Sequence, residues 1–336
     1  MATIKDIAKI AGVSVTTVSR ALNGYSDVNE NTRKKIEKYA RELNYSPNTL
    51  ARSLVMNKSN TIGILVSGLE KESVKDNFII EILTGVNDFV SGTEYDLILF
   101  NTNSSKQREK TYTQLCNERK VDGIILQGIR IDDPYLKEVV EGDIPCVLID
   151  IPITAKNVGY VTTNNKIGAK NAVKHLIELG HTNIGLVNGH EFAYVSQERL
   201  EGYKEALLEA NIHVNQDYIV NGNFREESAK QVVKKLLENK TEITALFCAS
   251  DLMAIGAMNA AKEMNRSVPE DLSIIGYDDI LQSSYVSPRL TTVAQNKFEL
   301  GFQAAKLLLE MLEEKDCAKE VVLESSLIVR DSTAIR

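Results

Sequence analysis

Only four cysteines and four histidines occur in the 336 residues. Cys116, Cys146, Cys248 and Cys317 stand far apart, with no C-x-x-C pair and no histidine pair beside them. The spacing that a zinc site or a small disulfide framework requires is therefore missing, and the scatter fits a chain kept reduced. The histidines are equally dispersed, and neither a metal nor a cofactor is expected. No run approaches the ~18 apolar residues of a membrane span, and no charged start leads into an apolar leader. The expectation is a cytoplasmic protein with no membrane partner. Glycine-rich phosphate loops are missing too: no strand-like run is followed by G-x-G-x-x-G, and "GHEFAYVSQERLEG" has the wrong spacing. With no phosphate loop and no G-x-S-x-G, an enzyme reading has little to stand on.

What the chain does contain is uneven in charge. Residues 1–60 hold ten Lys or Arg against five Asp or Glu, a net +5, while the whole chain is −7 and the remainder therefore −12. Only the N-terminal piece suits a polyanion, so the acidic total is no argument against nucleic acid. Within that piece, "DIAKIAGVSVTTVSRALN" spans residues 6–23. Thr3 and Asp6 can cap a helix through Ile7, Ala8, Ile10 and Ala11, which Gly12 ends by taking the left-handed conformation. Ser14 then caps a second helix whose inner face is Val18, Ala21 and Leu22. Two helices joined by Gly-Val-Ser form a helix-turn-helix. The start and outer face of its second helix carry Val15, Thr16, Thr17 and Arg20. These offer an apolar surface for a thymine methyl, hydroxyls, and a guanidinium able to grip guanine twice. A plain helical hairpin is the bland alternative. Asn29 can cap a third helix, "ENTRKKIEKYARELNY", with Ile36, Tyr39, Ala40 and Leu43 inward and Arg33, Lys34, Lys35 and Lys38 outward. Beyond it, Ser46 and Pro47 can open a short helix over residues 48–56, which forms only against a partner because isolated helices below about 12 residues are marginal.

The remaining 276 residues exceed one typical core. Short β-branched runs alternate with helical segments in two series: "TIGILV", "YDLILFN", "VDGIILQG", "IPCVLIDI", and then "NIGLVNG", "YIVNGNF", "TALFCAS", "LSIIGYD". Helices are expected near 78–91, 105–119 and 133–141 in the first series, and near 165–179, 196–210, 226–238 and 251–264 in the second. This alternation calls for two parallel sheets covered on both faces.

The ordered set "TIKDIAKIAGVSVTTVSRALN", "VNENTRKKI", "LNYSPNTLARSL" and the step into "TIGILV" resembles the lactose-repressor (LacI/GalR) family of bacterial regulators. The resemblance runs to about residue 330. It implies a small all-α helix-turn-helix headpiece (1–46), a hinge helix and linker (47–60), and an α/β core of the type I periplasmic-binding-protein kind. In that core the chain would cross between subdomains near 160, 290 and 322, giving one subdomain of 61–160 with 291–322 and another of 161–290 with 323–336. The family pattern places Val15, Thr16 and Arg20 at base-reading positions. Asn23 and Ser46 serve phosphates or caps, and Leu54 is the apolar wedge that kinks the operator.

Effector-binding residues implied by the resemblance lie at strand ends, where open α/β sheets bind ligands. Arg199 matches the arginine that grips the effector, and Phe224 the aromatic that covers its ring. Asp278 and Asp150 suit paired sugar hydroxyls, with Ser67, Gln127 and Ser250 as weaker candidates. Two bland readings stand beside these: Arg199 and Asp278 as a structural pair, and Phe224 as plain core. Asp251 is better read as a helix N-cap. After the first strand the chain departs from the family, because "SGLEKESVKDNFIIEIL" is longer and more charged than usual, with Asn77 and Phe78 keeping part of the pattern.

The expected function is a sequence-specific repressor of carbohydrate genes. It would read a pseudo-palindromic operator as a homodimer, with a tetramer left open, under control of a small effector, a sugar by the chemistry of the cleft. A global catabolite regulator gated by a phosphoprotein, a purine- or nucleoside-responsive repressor, and a sugar-binding transport receptor are the alternatives.

Overall fold

The computed structural model describes residues 2–23, 25, 27–45, 58–67, 77–100 and 110–336, and the chain divides into two units, 1–60 and 61–336. In the first unit, α1 (Ile4–Ala11), α2 (Val15–Leu22) and α3 (Glu30–Glu42) enclose one small core. Its buried members are Ile7, Ala8, Ala11, Val18, Ala21, Val28, Ile36 and Ala40, and Tyr39 and Leu43 pack half-buried against them. The local signals act as their chemistry dictates. Thr3 and Asp6 form the capping box of α1, Gly12 stands at φ 70, the Ser14 hydroxyl accepts from the Thr17 amide, and Asn29 accepts from Asn31.

The second unit holds two six-stranded sheets. The first contains β1 (Thr61–Val66), β2 (Asp96–Phe100), β3 (Gly123–Gln127), β4 (Cys146–Ile149), β5 (Val158–Thr163) and β11 (Glu320–Leu323), in the order β11-β5-β4-β3-β1-β2, all parallel. Helices α4 (Phe78–Ser91), α5 (Tyr112–Arg119), α6 (Leu136–Glu141) and α11 (Lys297–Leu312) belong to it. Alternate residues of each strand feed opposite faces. Ile62, Ile64, Ile125 and Val147 pack under α4 and α11, while Leu65, Leu126 and Leu148 pack with Tyr112, Cys116 and Val139 of α5 and α6.

The second sheet contains β6 (Ile184–Asn188), β7 (Ile219–Asn221), β8 (Ala245–Cys248), β9 (Ser273–Asp278), β10 (Thr291–Gln295) and β12 (Ser325–Ile328), in the order β12-β10-β9-β8-β6-β7. It is covered by α7 (Asn165–Glu178) and α8 (Tyr194–Glu209) on one face and by α9 (Glu226–Asn239) and α10 (Asp251–Glu263) on the other. Its edge strand β12 runs antiparallel to β10, so this sheet is not wholly parallel as the alternation suggested.

The chain passes between the sheets three times, between Thr163 and Asn165, between Gln295 and Lys297, and between Leu323 and Ser325. The expected boundary at 290 is therefore corrected: residues 291–295 pair with β9 and belong to the second sheet. Likewise Val161–Thr163 stay in the first sheet, beside β4 and β11. No helix among the described residues is long and apolar enough to cross a membrane. Among the same residues no three His, Cys, Asp or Glu side chains converge as metal ligands would.

Candidate functional site

In the first unit, α2 exposes Val15 to 41%, with Thr16 and Arg20 also at the surface. Thr17 is less available than its neighbours, because its hydroxyl shares a 2.8 Å hydrogen bond with Ser14 Oγ at the helix cap. Asn23 is the C-cap of α2, and its side-chain Nδ2 donates to Ser19 Oγ at 3.4 Å. Arg20 is held by Asp27: Nε donates to Oδ1 at 3.2 Å, Nη2 lies 2.6 Å from Oδ2, and the guanidinium stands 5.0 Å from the Tyr25 ring centre. Both charges are about half exposed. Such surface pairs contribute only ~0–1 kcal/mol, so the fork can leave Asp27 for another acceptor at small cost. Ser46 and Leu54 lie outside the described residues.

The second constellation gathers where strands of both sheets end. Arg199, on α8, is 3% exposed. Its Nε donates to Asn165 Oδ1 at 2.9 Å, its Nη1 donates to the Ala249 carbonyl at 2.6 Å and lies 3.5 Å from Asp278 Oδ1, and its guanidinium stacks 3.7 Å above the Tyr277 ring. Asp278, the last residue of β9, also accepts from Gln295 Nε2 at 2.6 Å, and Gln295 Oε1 accepts from Thr163 Oγ1 of the first sheet at 3.0 Å. Asp150 stands at φ 63 just after β4 and accepts from Thr162 at 2.8 Å. Burial raises both carboxyls, Asp278 to about 7 against the pull of Arg199, and Asp150 against the Thr162 hydrogen bond and Arg199. Arg199, Asp278 and Asp150 are thus one electrostatic group reaching across both sheets. The pairing of Arg199 with Asp278 is real, and it also places both side chains at the strand ends.

Phe224 stands at φ 56 after β7, partly packed on the second sheet's core, with its ring edge-on to His190 at 5.6 Å. It is therefore in part core, as the bland reading had it. Ser67 and Gln127 are neighbours on the first sheet, the Ser67 amide donating to the Gln127 carbonyl at 2.9 Å. Phe78 opens α4 and packs half-buried on the first sheet's core. Two expectations are corrected. Ser250 is the N-cap of α10, its Oγ accepting from the Met253 amide at 3.3 Å, so its hydroxyl is committed to the helix. Asp251 is no cap: fully buried, it accepts from the Ile280 amide, Ser283 Oγ and Thr292 Oγ1, and burial raises it to about 6. It anchors the corner that follows Asp278.

Sequence reading missed Asn165, Thr163, Gln295 and Lys297. Reading "TTVAQ" as a strand would have put Gln295 at a strand end beside Asp278. Lys297 gives no such signal, since a lysine opening an amphipathic helix reads as solvated. Yet it is 4% exposed, donates to the carbonyls of Asp278 (2.7 Å) and Asp279 (3.0 Å), and stands 3.7 Å from Glu81 of α4.

Residues 3–48 match the family model described as bacterial regulatory proteins, lacI family, and residues 173–333 that of a periplasmic binding protein-like domain. Among curated relatives, the HTH-type transcriptional repressor PurR of Vibrio vulnificus is 38% identical over 335 residues, covering 99% of this chain and 98% of that one. The probable HTH-type transcriptional repressor ExuR of Bacillus subtilis is 38% identical over 334 residues, with the same coverage. Among solved structures, a lac repressor dimer bound to operator and the anti-inducer ONPF has a TM-score of 0.82 at 28% identity, covering 99% of both chains. A complex of the transcriptional regulator CelR with cellobiose has a TM-score of 0.75 at 31% identity, covering 99% of this chain and all of that one.

Proposed function

The chain belongs to the lacI family of bacterial regulatory proteins, and from that premise we propose a repressor of carbohydrate-utilisation genes whose effector is a neutral sugar held between the two core sheets. The observation that carries the effector class is the group of Arg199, Asp278 and Asp150 at the strand ends, with the Phe224 ring after β7. Two carboxylates and one cation offer charge-assisted hydrogen bonds to hydroxyls. A phosphate would want clustered cations, and a purine a second aromatic face. The CelR complex with cellobiose agrees with a sugar. The purine reading is favoured by one finding, the 38% identity to PurR.

Val15, Thr16 and Arg20 read base edges in the major groove, Thr17 and Asn23 fix the helix ends that present them, and Ser46 and Leu54 serve the backbone and the central step. A two-fold operator demands a homodimer. Effector binding changes the angle between the sheets about the three crossings, and the shift in population decides whether the paired headpieces dock. Calorimetry of neutral sugars, hexuronates, sugar phosphates and purines against wild type and Arg199→Ala tests this. A neutral sugar should bind, and Arg199→Ala should weaken it at least tenfold. Binding of a purine or a sugar phosphate alone, or of the sugar equally to Arg199→Ala, rejects the sugar effector.

A further inference from the structure

The two sheets meet a second time, far from the crossings. In the first sheet β3 lies two strands from β5, and in the second β6 lies three strands from β10. The loops that follow β3 and β6 nevertheless touch: the Ile131 amide donates to the Phe192 carbonyl at 3.0 Å, and the Arg130 guanidinium lies 4.3 Å over the Phe192 ring. Asp132 holds the same guanidinium through two 2.7 Å hydrogen bonds. These contacts tie the loops into a clasp across the cleft.

In the strands and helix that flank the clasp loops are four polar atoms that solvent does not reach and that no protein group pairs: Gln127 Oε1 at the end of β3, Asn188 Oδ1 at the end of β6, His190 Nδ1, and Ser196 Oγ in the first turn of α8. Gln127, Asn188 and Ser196 are each more than nine-tenths buried. Three of these residues, Asn188, His190 and Ser196, cluster about the Phe224 ring. Asn188 Nδ2 donates to the Ser196 carbonyl, His190 meets the Phe224 ring, and a Cβ at Gly189 would strike both that ring and Ser196 Oγ. Buried polar atoms are nearly always paired in native structures, because an unmade hydrogen bond in a low-dielectric interior costs the fold. Four at the ends of β3 and β6 and in the segment and helix turn that follow β6 are surplus to folding.

We propose that Asn188, His190 and Ser196, with Gln127 opposite, form a neutral hydrogen-bonding wall that determines effector specificity by reading hydroxyl groups, and that the Arg130–Phe192 clasp closes it over the ligand. The proposal rests on the effector cleft described above and deepens it. The two amide oxygens accept from ligand hydroxyls and repel an anionic oxygen, while the hydroxyl and the imidazole can each donate or accept. The wall therefore discriminates a neutral polyol from its uronate or phosphate.

Thermal unfolding and calorimetry of the full chain test it, with Ser196→Ala and His190→Phe each removing one of the four unpaired atoms while keeping shape. Both variants should unfold at or above the wild-type temperature, since they delete groups that folding does not satisfy. The neutral sugar that binds wild type best should bind each at least tenfold more weakly, with hexuronates and sugar phosphates weaker still on wild type. A fall of several degrees in Tm, sugar affinity within twofold of wild type, or a uronate bound as tightly as its neutral parent overturns the wall. If no sugar binds wild type, the sugar reading fails separately, and the unfolding temperatures still decide whether these atoms serve the fold.

Discussion

At the scale of single residues, the two candidate sites hold their charged groups in opposite ways. Arg20 is exposed and loosely tied to Asp27, whereas Arg199 is buried and tied on every side. Removing one partner of a buried pair costs about 3–5 kcal/mol, while an exposed pair is worth ~0–1 kcal/mol. Hence Asp27→Asn should leave the headpiece folded and tighten operator binding, because it frees the Arg20 fork and removes a negative charge from the DNA-facing unit. Arg20→Ala should cost about 1–3 kcal/mol on the operator and relax specificity at one base pair. Gel shifts on operator and random DNA check both variants, and equal losses on the two DNAs for Arg20→Ala reject its role as a reader. Asp278 makes a different prediction. Burial raises its carboxyl from the ordinary 3.8 to about 7, and the ionised form is the one that accepts from sugar hydroxyls. Effector affinity should fall as pH drops from 8 to 6, and Asp278→Asn should bind weakly with no slope in that window. For stability the sign is reversed: the folded pKa exceeds the unfolded one, so the contribution is favourable in acid and is lost as pH rises through about 7.

At the scale of elements, what could be read from the sequence follows the strength of the local signal. Caps and periodicity are local, so the three headpiece helices lie where Thr3, Gly12, Ser14 and Asn29 put them. Strands buried on both faces read as continuous apolar runs, and β1, β3, β4, β6, β8 and β9 were found that way. Strands β5, β10, β11 and β12 were not. "VGYVTT" and "TTVAQ" mix hydroxyls with their apolar residues, and "EVVL" and "SSLI" are four residues long and sit at sheet edges, half exposed. Because those strands carry the crossings, the subdomain boundaries slipped with them. Among the site residues, Arg199, Asp278 and Asp150 come together, and they were named from strand ends and family pattern. The cap falls on Ser250 and not on Asp251 as expected, because both residue types cap helices equally well. Only tertiary packing, which encloses Asp251 between Ile280, Ser283 and Thr292, separates them.

At the scale of the whole molecule, a repressor must convert a ligand between two sheets into a change felt by DNA, and the second crossing holds a group suited to that task. Lys297 opens α11, which packs on α4, yet its ammonium grips the carbonyls of Asp278 and Asp279 at the tip of β9 and faces Glu81 of α4. Both of those aspartates stand at positive φ, at 110 and 49, which non-glycine residues adopt rarely and only when neighbours hold them there. One buried cation therefore fixes the corner that aims the Asp278 carboxylate and ties it to the first sheet's helices. A movement of that corner on effector binding would be passed through Lys297 to α11 and, by Glu81, to α4. Lys297→Met keeps most of the apolar stem and removes the grip. It should retain operator binding in the absence of effector but lose most of the factor by which effector changes operator affinity. Linkage supplies an internal check, since the operator must change effector affinity by the same factor. Titrating effector with and without operator, and operator with and without effector, measures that factor twice. A variant whose two factors agree with each other and equal those of wild type shows that Lys297 only stabilises the corner; two factors reduced together identify it as the coupling residue.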